Sequence, residues 1–113
     1  MGQIGNSFEL LWKNNEGVAP STIELTSDDF DKLLILTNIG AMSCITKGTE
    51  WIELGLYNRP NQCAGGALTM YKKSSDTVYN FYSGAYDFYN AGAWNSISAI
   101  LIFPTEILGF KIK

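Results

Sequence analysis

Lys32-Leu33-Leu34-Ile35-Leu36-Thr37-Asn38-Ile39 is the stretch on which the fold turns. Its four successive apolar residues suit either a helix or a strand covered on both faces. The β-branched and Gly/Asn-rich surroundings favour the strand, so this segment is predicted to be central in a sheet.

The neighbouring segments support that choice by alternating. Thr22-Ile23-Glu24-Leu25-Thr26 puts Ile23 and Leu25 on one face. Glu50-Trp51-Ile52-Glu53-Leu54 sets Ile52 and Leu54 against Trp51 and Glu53. Ala67-Leu68-Thr69-Met70-Tyr71-Lys72 pairs Leu68 with Met70, and Thr77-Val78-Tyr79-Asn80-Phe81-Tyr82 pairs Tyr79 with Phe81. Near the end, Leu108, Phe110 and Ile112 alternate with Gly109, Lys111 and Lys113. Alternation at period two marks a half-buried strand. Turn residues punctuate the chain about every ten positions, at Asn14-Asn15-Glu16-Gly17, Gly40, Gly48, Asn58-Arg59-Pro60-Asn61, Ser74-Ser75-Asp76, Gly84 and Asn90-Ala91-Gly92. The expected fold is all-β, a two-sheet antiparallel β-sandwich, jelly-roll-like, with about eight short strands. Residues 1–7 form a lead-in and 8–113 a single domain. One helical turn is expected at Thr26-Ser27-Asp28-Asp29, which has capping-box spacing.

Composition narrows the function. The chain has 113 residues, and 17% of them are charged, against a usual share of about 25%. There is no histidine, which removes the commonest general base and metal ligand together with every His-dependent triad. The net charge is −3 and the bases are scattered. No basic stripe is present to neutralise phosphates, so nucleic acid is not an expected partner, and neither is an anionic membrane surface. The longest apolar run, Ile97-Ser98-Ala99-Ile100-Leu101-Ile102-Phe103, is far short of the roughly 20 residues a spanning helix needs, so membrane insertion is not expected. No secretory h-region appears in the sequence, so a secretory signal is not expected. Cys44 and Cys63 are compatible with one bridge or with two reduced, buried thiols.

Three constellations bear on chemistry. Asp28, Asp29 and Asp31 read as a capped, solvated turn rather than a calcium loop, because the Gly and distal Glu of an EF-hand are missing. Glu50 and Glu53 read as surface residues, since positions three apart on a strand face opposite ways. No catalytic residue, metal site or cofactor is predicted.

The third constellation is an aromatic concentration. Tyr79, Phe81, Tyr82, Tyr86, Phe88, Tyr89 and Trp94 fall within sixteen residues, interleaved with Asn80, Asp87, Asn90 and Asn95. Aromatic faces beside amides suit a sugar, which stacks on the ring and hydrogen-bonds the amide; they also suit a subunit contact. Tyr79, Phe81 and Phe88 are assigned to the core. Tyr86, Tyr89, Asn90 and Trp94, in what reads as a Gly/Asn-rich loop, are the candidate ligand- or partner-binding residues.

The two ends of the chain carry a resemblance. Leu11-Trp12-Lys13-Asn14, then Ala19-Pro20-Ser21-Thr22-Ile23-Glu24-Leu25, then Ser27-Asp28-Asp29-Phe30-Asp31-Lys32-Leu33-Leu34-Ile35 is similar to the opening of small β-sandwich modules of bacteriophage and prophage tail fibres from Gram-positive hosts. Phe103-Pro104-Thr105-Glu106-Ile107-Leu108-Gly109-Phe110-Lys111-Ile112-Lys113 resembles their closing segment. The resemblance implies a non-enzymatic virion component, made in the host bacterial cytoplasm and built into the particle. It implies a homo-oligomer, a trimer first of all, contacting other virion proteins and possible host surface glycan or protein. The expected role is a tail-fibre or tail-tip-like adhesion module. The alternative is a structural decoration protein that stabilises the capsid or tail. On either role the short chain is expected to be carried to its working position by other proteins.

Overall fold

A computed structural model describes residues 8–58, 64–90 and 92–112. They form nine strands: β1 (Phe8–Lys13), β2 (Thr22–Glu24), β3 (Lys32–Thr37), β4 (Met42–Thr46), β5 (Trp51–Asn58), β6 (Ala64–Lys73), β7 (Val78–Asn90), β8 (Ala93–Ser98) and β9 (Pro104–Phe110). Two antiparallel sheets pack together, so the fold is an all-β sandwich. The four-stranded sheet runs β1-β9-β3-β4 and the five-stranded sheet β2-β7-β6-β5, with β8 paired to β7. The pairs β1·β9 and β2·β7 join early strands to late ones, as a rolled sandwich does. Strands β5 to β8 form a plain meander.

Alternation places the core. Leu33 and Ile35 of β3, Ile107 of β9, Ile52 and Leu54 of β5, and Ala67 and Tyr71 of β6 all point inward and are buried. Ile23 and Tyr79 close one end, and Leu25, Phe30 and Ile102 plug the sandwich from connecting segments. Gly109 is inward too. A Cβ there would lie 2.5 Å from Leu11 Cδ1 and 3.1 Å from Phe30 Cβ, so its bare Cα makes room for both.

Several sequence expectations are corrected. Strand β3 is central in its sheet, yet only Leu33, Ile35 and Thr37 are buried, while Lys32, Leu34 and Leu36 are half-exposed. Nothing among the described residues covers that outer face. No helical turn forms at residues 26–29. Instead Ser27 Oγ accepts from the Asp29 amide at 3.0 Å, a local bend that competes with a helix. The stretch carrying Tyr86, Tyr89, Asn90 and Trp94 is not a loop but the β7–β8 hairpin. Cys44 is a free, exposed thiol rather than a buried one; Cys63, the turn at 59–61 and the lead-in 1–7 lie outside the described residues.

The molecule is elongated, 59 × 29 × 25 Å, with a radius of gyration of 16.1 Å, against about 13 Å for a compact chain of this length. The cause is strand length. The 13 residues of β7 span roughly 44 Å, whereas the six of β3 span roughly 20 Å. The five-stranded sheet therefore outruns its partner. Along one edge of β7, β2 pairs with Asn80 to Val78 and β8 with Ala85 to Asn90, leaving a gap between them.

Candidate functional site

Register decides which aromatics share a face. Inward-facing Ala67 and Gly65 pair with Tyr86 and Phe88, so those two rings lie on the inner side. They stack with centroids 5.4 Å apart and planes 20° apart, and Tyr86 packs against the core. The opposite, outer face receives Tyr89, Asp87 and Ala85 from β7 and Trp94, Ser96 and Ser98 from β8. The structure thus separates the four candidate residues. Tyr89 and Trp94 meet edge to face, ring centroids 5.5 Å apart, on the outer face. Tyr86 lies on the other side of the sheet. Asn90 ends β7 opposite Ala93.

Trp94 is 64% exposed, which leaves its indole open to a partner. Beside it runs a trough of about 440 Å³ lined by Gly65, Gly66, Ala67, Leu68, Ala85, Asp87 and Trp94. Its shape follows from side-chain size. Gly66 and Ala85 supply a low floor, Trp94 and Leu68 stand up as walls, and the exposed Asp87 carboxylate offers acceptors at the rim. A flat ring can lie on the indole while its hydroxyls donate to Asp87.

The same outer face holds a second aromatic group, which pairs Tyr82 of the aromatic concentration with a residue outside it. Trp51 of β5 and Tyr82 of β7 meet at 4.9 Å, edge to face. The Lys72 ammonium sits 5.5 Å above the Trp51 ring, a cation–π contact. Tyr82 reaches this face because β7 carries an irregularity opposite Met70 and Tyr71, which swings one residue out of alternation. The legible signal was Trp51 itself, a tryptophan on the polar side of an alternating strand.

A cleft of about 340 Å³ lies in the β1–β2 connection, lined by Trp12, Asn14 and Pro20 among others. Its central amide is already committed. Asn14 Nδ2 donates to the carbonyls of Val18 and Pro104, and Oδ1 accepts from the amides of Glu16 and Gly17. The Asn14 amide therefore holds the loop together and is not available to a ligand.

Among the described residues the acids do not assemble into a further site. Asp31 Oδ2 accepts from the Ile112 amide at 2.7 Å and Asp29 pairs with Lys111 at 2.8 Å, so the cluster ties down the last strand. Among the described residues no group of three His, Cys, Asp or Glu side chains could hold a metal. Glu53 and Asp87 share the outer face but sit two strands and four residues out of register. Their backbones are roughly 16 Å apart on strand spacings, beyond the roughly 5–9.5 Å of a glycosidase pair.

No protein-family model, no curated protein and no solved structure matches this chain.

Proposed function

We propose that this chain is a non-enzymatic adhesion module of a bacteriophage virion, tail-fibre or tail-tip-like, that holds host surface glycan on the outer face of its five-stranded sheet. One observation carries the reading: the exposed Trp94–Tyr89 pair stands beside a small-residue trough with a carboxylate at its rim. Stacking on the indole and hydroxyl bonds to Asp87 supply attraction and orientation together. The virion assignment rests on the resemblance of the two chain ends to tail-fibre modules. The test is adsorption to cells of the bacterium on which the particle grows. Trp94→Ala and Tyr89→Ala should each abolish binding and leave the melting temperature unchanged. Full binding by both variants would remove the site.

A second reading, structural decoration of the capsid or tail, is favoured by the four-stranded sheet. Register aligns Leu10, Leu108, Leu34 and Cys44 across its outer face. Phe8 contacts Phe110 at 4.9 Å there. Such a face suits burial against another copy or another virion protein. A trimer would give about three subunit masses by light scattering. Particles lacking the protein would still adsorb under this reading but become fragile to heat.

A further inference from the structure

We infer that the ligand is a linear, neutral glycan chain lying along the outer face of the five-stranded sheet from Trp94 to Trp51, not a single terminal sugar. This rests on the glycan reading above and extends it by a second contact at Trp51 and Tyr82.

Three observations carry it. The first is alignment. Outer-face positions along β6 and β7 step from the Tyr89–Trp94 row through Gly66–Asp87, Leu68–Ala85 and Met70–Ser83 to the Lys72–Asn80 row, where Trp51 pairs with Lys72. Four steps of two residues along the strands, with three strand spacings from β8 to β5, place Trp94 and Trp51 roughly 30 Å apart, a span that one sugar cannot bridge and an oligosaccharide can.

The second is relief. Between the groups the face offers Gly66, Ala85, Ser83 and Gly55, small residues that leave a low path. Leu68 and Met70 flank that path with apolar side chains, and an aromatic platform stands at each end of it. Tyr82, 61% exposed, stands against Trp51 just as Tyr89 stands against Trp94. Repeated aromatic platforms on one sheet face suit a repeating ligand.

The third is charge. The described strand residues of this face carry Glu24, Glu53 and Asp87 against Lys72 alone, and Lys72 already lies over Trp51. A polyphosphate or polyuronate would meet three carboxylates and one engaged ammonium, which like-charge repulsion disfavours. Neutral hydroxyl- or acetamido-bearing sugars find acceptors in the same carboxylates.

The experiment is calorimetric titration of the full chain with β-linked N-acetylglucosamine, glucose and rhamnose oligomers from dimer to hexamer, with poly(glycerol phosphate) as the anionic probe. For at least one neutral series, affinity should rise roughly tenfold or more from dimer to hexamer, the size of an added stacking contact. Trp51→Ala should erase that gain and leave dimer affinity within about twofold of the parent. Tyr82→Ala, at an exposed position, should do the same should Trp51→Ala misfold. Trp94→Ala should lose both lengths. Equal affinity for dimer and hexamer, or a hexamer indifferent to both Trp51→Ala and Tyr82→Ala, would overturn the extended site and leave the Trp94 site standing. Tighter binding of poly(glycerol phosphate) than of every neutral hexamer would overturn the neutral assignment. Failure of every neutral oligomer to bind would overturn the glycan reading itself.

Discussion

The Tyr86 ring lies directly over the bare Cα of Gly65: a Cβ built on Gly65 would sit 2.5 Å from the Tyr86 hydroxyl oxygen and 2.9 Å from Cζ. This contact fixes which way the β7–β8 hairpin presents its aromatics. With Tyr86 laid inward on Gly65, alternation turns Asp87 and Tyr89 outward to the trough. Gly65→Ala should therefore push the ring off its seat, cost about 1–3 kcal/mol as overpacking does, and disturb the Phe88 stack. Gly84→Ala should cost at least as much, because its Cβ would meet the Ala99 carbonyl oxygen at 2.8 Å, and backbone yields less easily than a ring. Thermal melts check both, and unchanged melting temperatures would show that the hairpin is not packed this way.

Thr69 makes a prediction of opposite sign. It is buried on the inner face of β6, and its hydroxyl has no hydrogen-bond partner. Thr69→Val keeps the branched shape and removes an unpaired polar group. It should stabilise the fold by about 1 kcal/mol, which raises the melting temperature by roughly 4 °C in a domain of this size. A fall in melting temperature would mean that the hydroxyl is paired.

The last strand is expected to be indispensable. Phe110 pairs with both Phe8 and Lys32, its carbonyl accepts from the Asp31 amide at 2.9 Å, and Ile112 and Lys111 are tied to Asp31 and Asp29. Deleting residues 110–113 removes the end of the strand that joins β1 to β3 and should abolish folding. A truncated protein that remains monodisperse with an unchanged melting temperature would contradict this.

Alkaline titration probes the core. Tyr71 is buried and donates its hydroxyl to the Pro20 carbonyl at 2.7 Å, and burial pushes its pKa from 10.0 up to about 12. Burial, with the Asp76 carboxylate nearby, raises Tyr79 as well. Raised tyrosines keep their protons in the folded chain while the unfolded chain loses them. Their contribution to stability is complete below pH 10.0 and is lost progressively as pH climbs to about 12. Tyrosinate absorbance should show Tyr71 and Tyr79 ionising only above pH 10.0, together with loss of folded signal. Ionisation of Tyr71 and Tyr79 near pH 10.0 with the fold intact would contradict the buried assignments.

Much of the sandwich was legible because alternation is a local signal. Ile23, Ile52, Leu54, Tyr79 and Phe81 announce their faces from neighbours alone. What stayed hidden depends on distant pairing. Leu34 and Leu36 look doubly covered because they are apolar, yet coverage depends on whether another layer reaches them, and none among the described residues does. Strand β8 could not be read, since Ala93-Trp94-Asn95-Ser96-Ile97-Ser98 is exposed throughout and has no buried face to impose a pattern. The candidate site was half legible. Composition picked out Tyr89 and Trp94, but only register shows that Tyr86 turns away and that Trp51, about forty residues earlier in the chain, shares their face.

The most direct measurement is the backbone-independent one on the three indole N–H signals of Trp12, Trp51 and Trp94, followed by NMR during titration with a neutral hexasaccharide that the protein binds. Trp94 and Trp51 lie on the outer face of the five-stranded sheet, whereas Trp12 packs against the core and lines the β1–β2 cleft. The expected result is a shift of the Trp94 and Trp51 signals with a common midpoint, while Trp12 stays fixed. A shift of Trp12 alone, or of none of the three, would contradict a glycan site on that face.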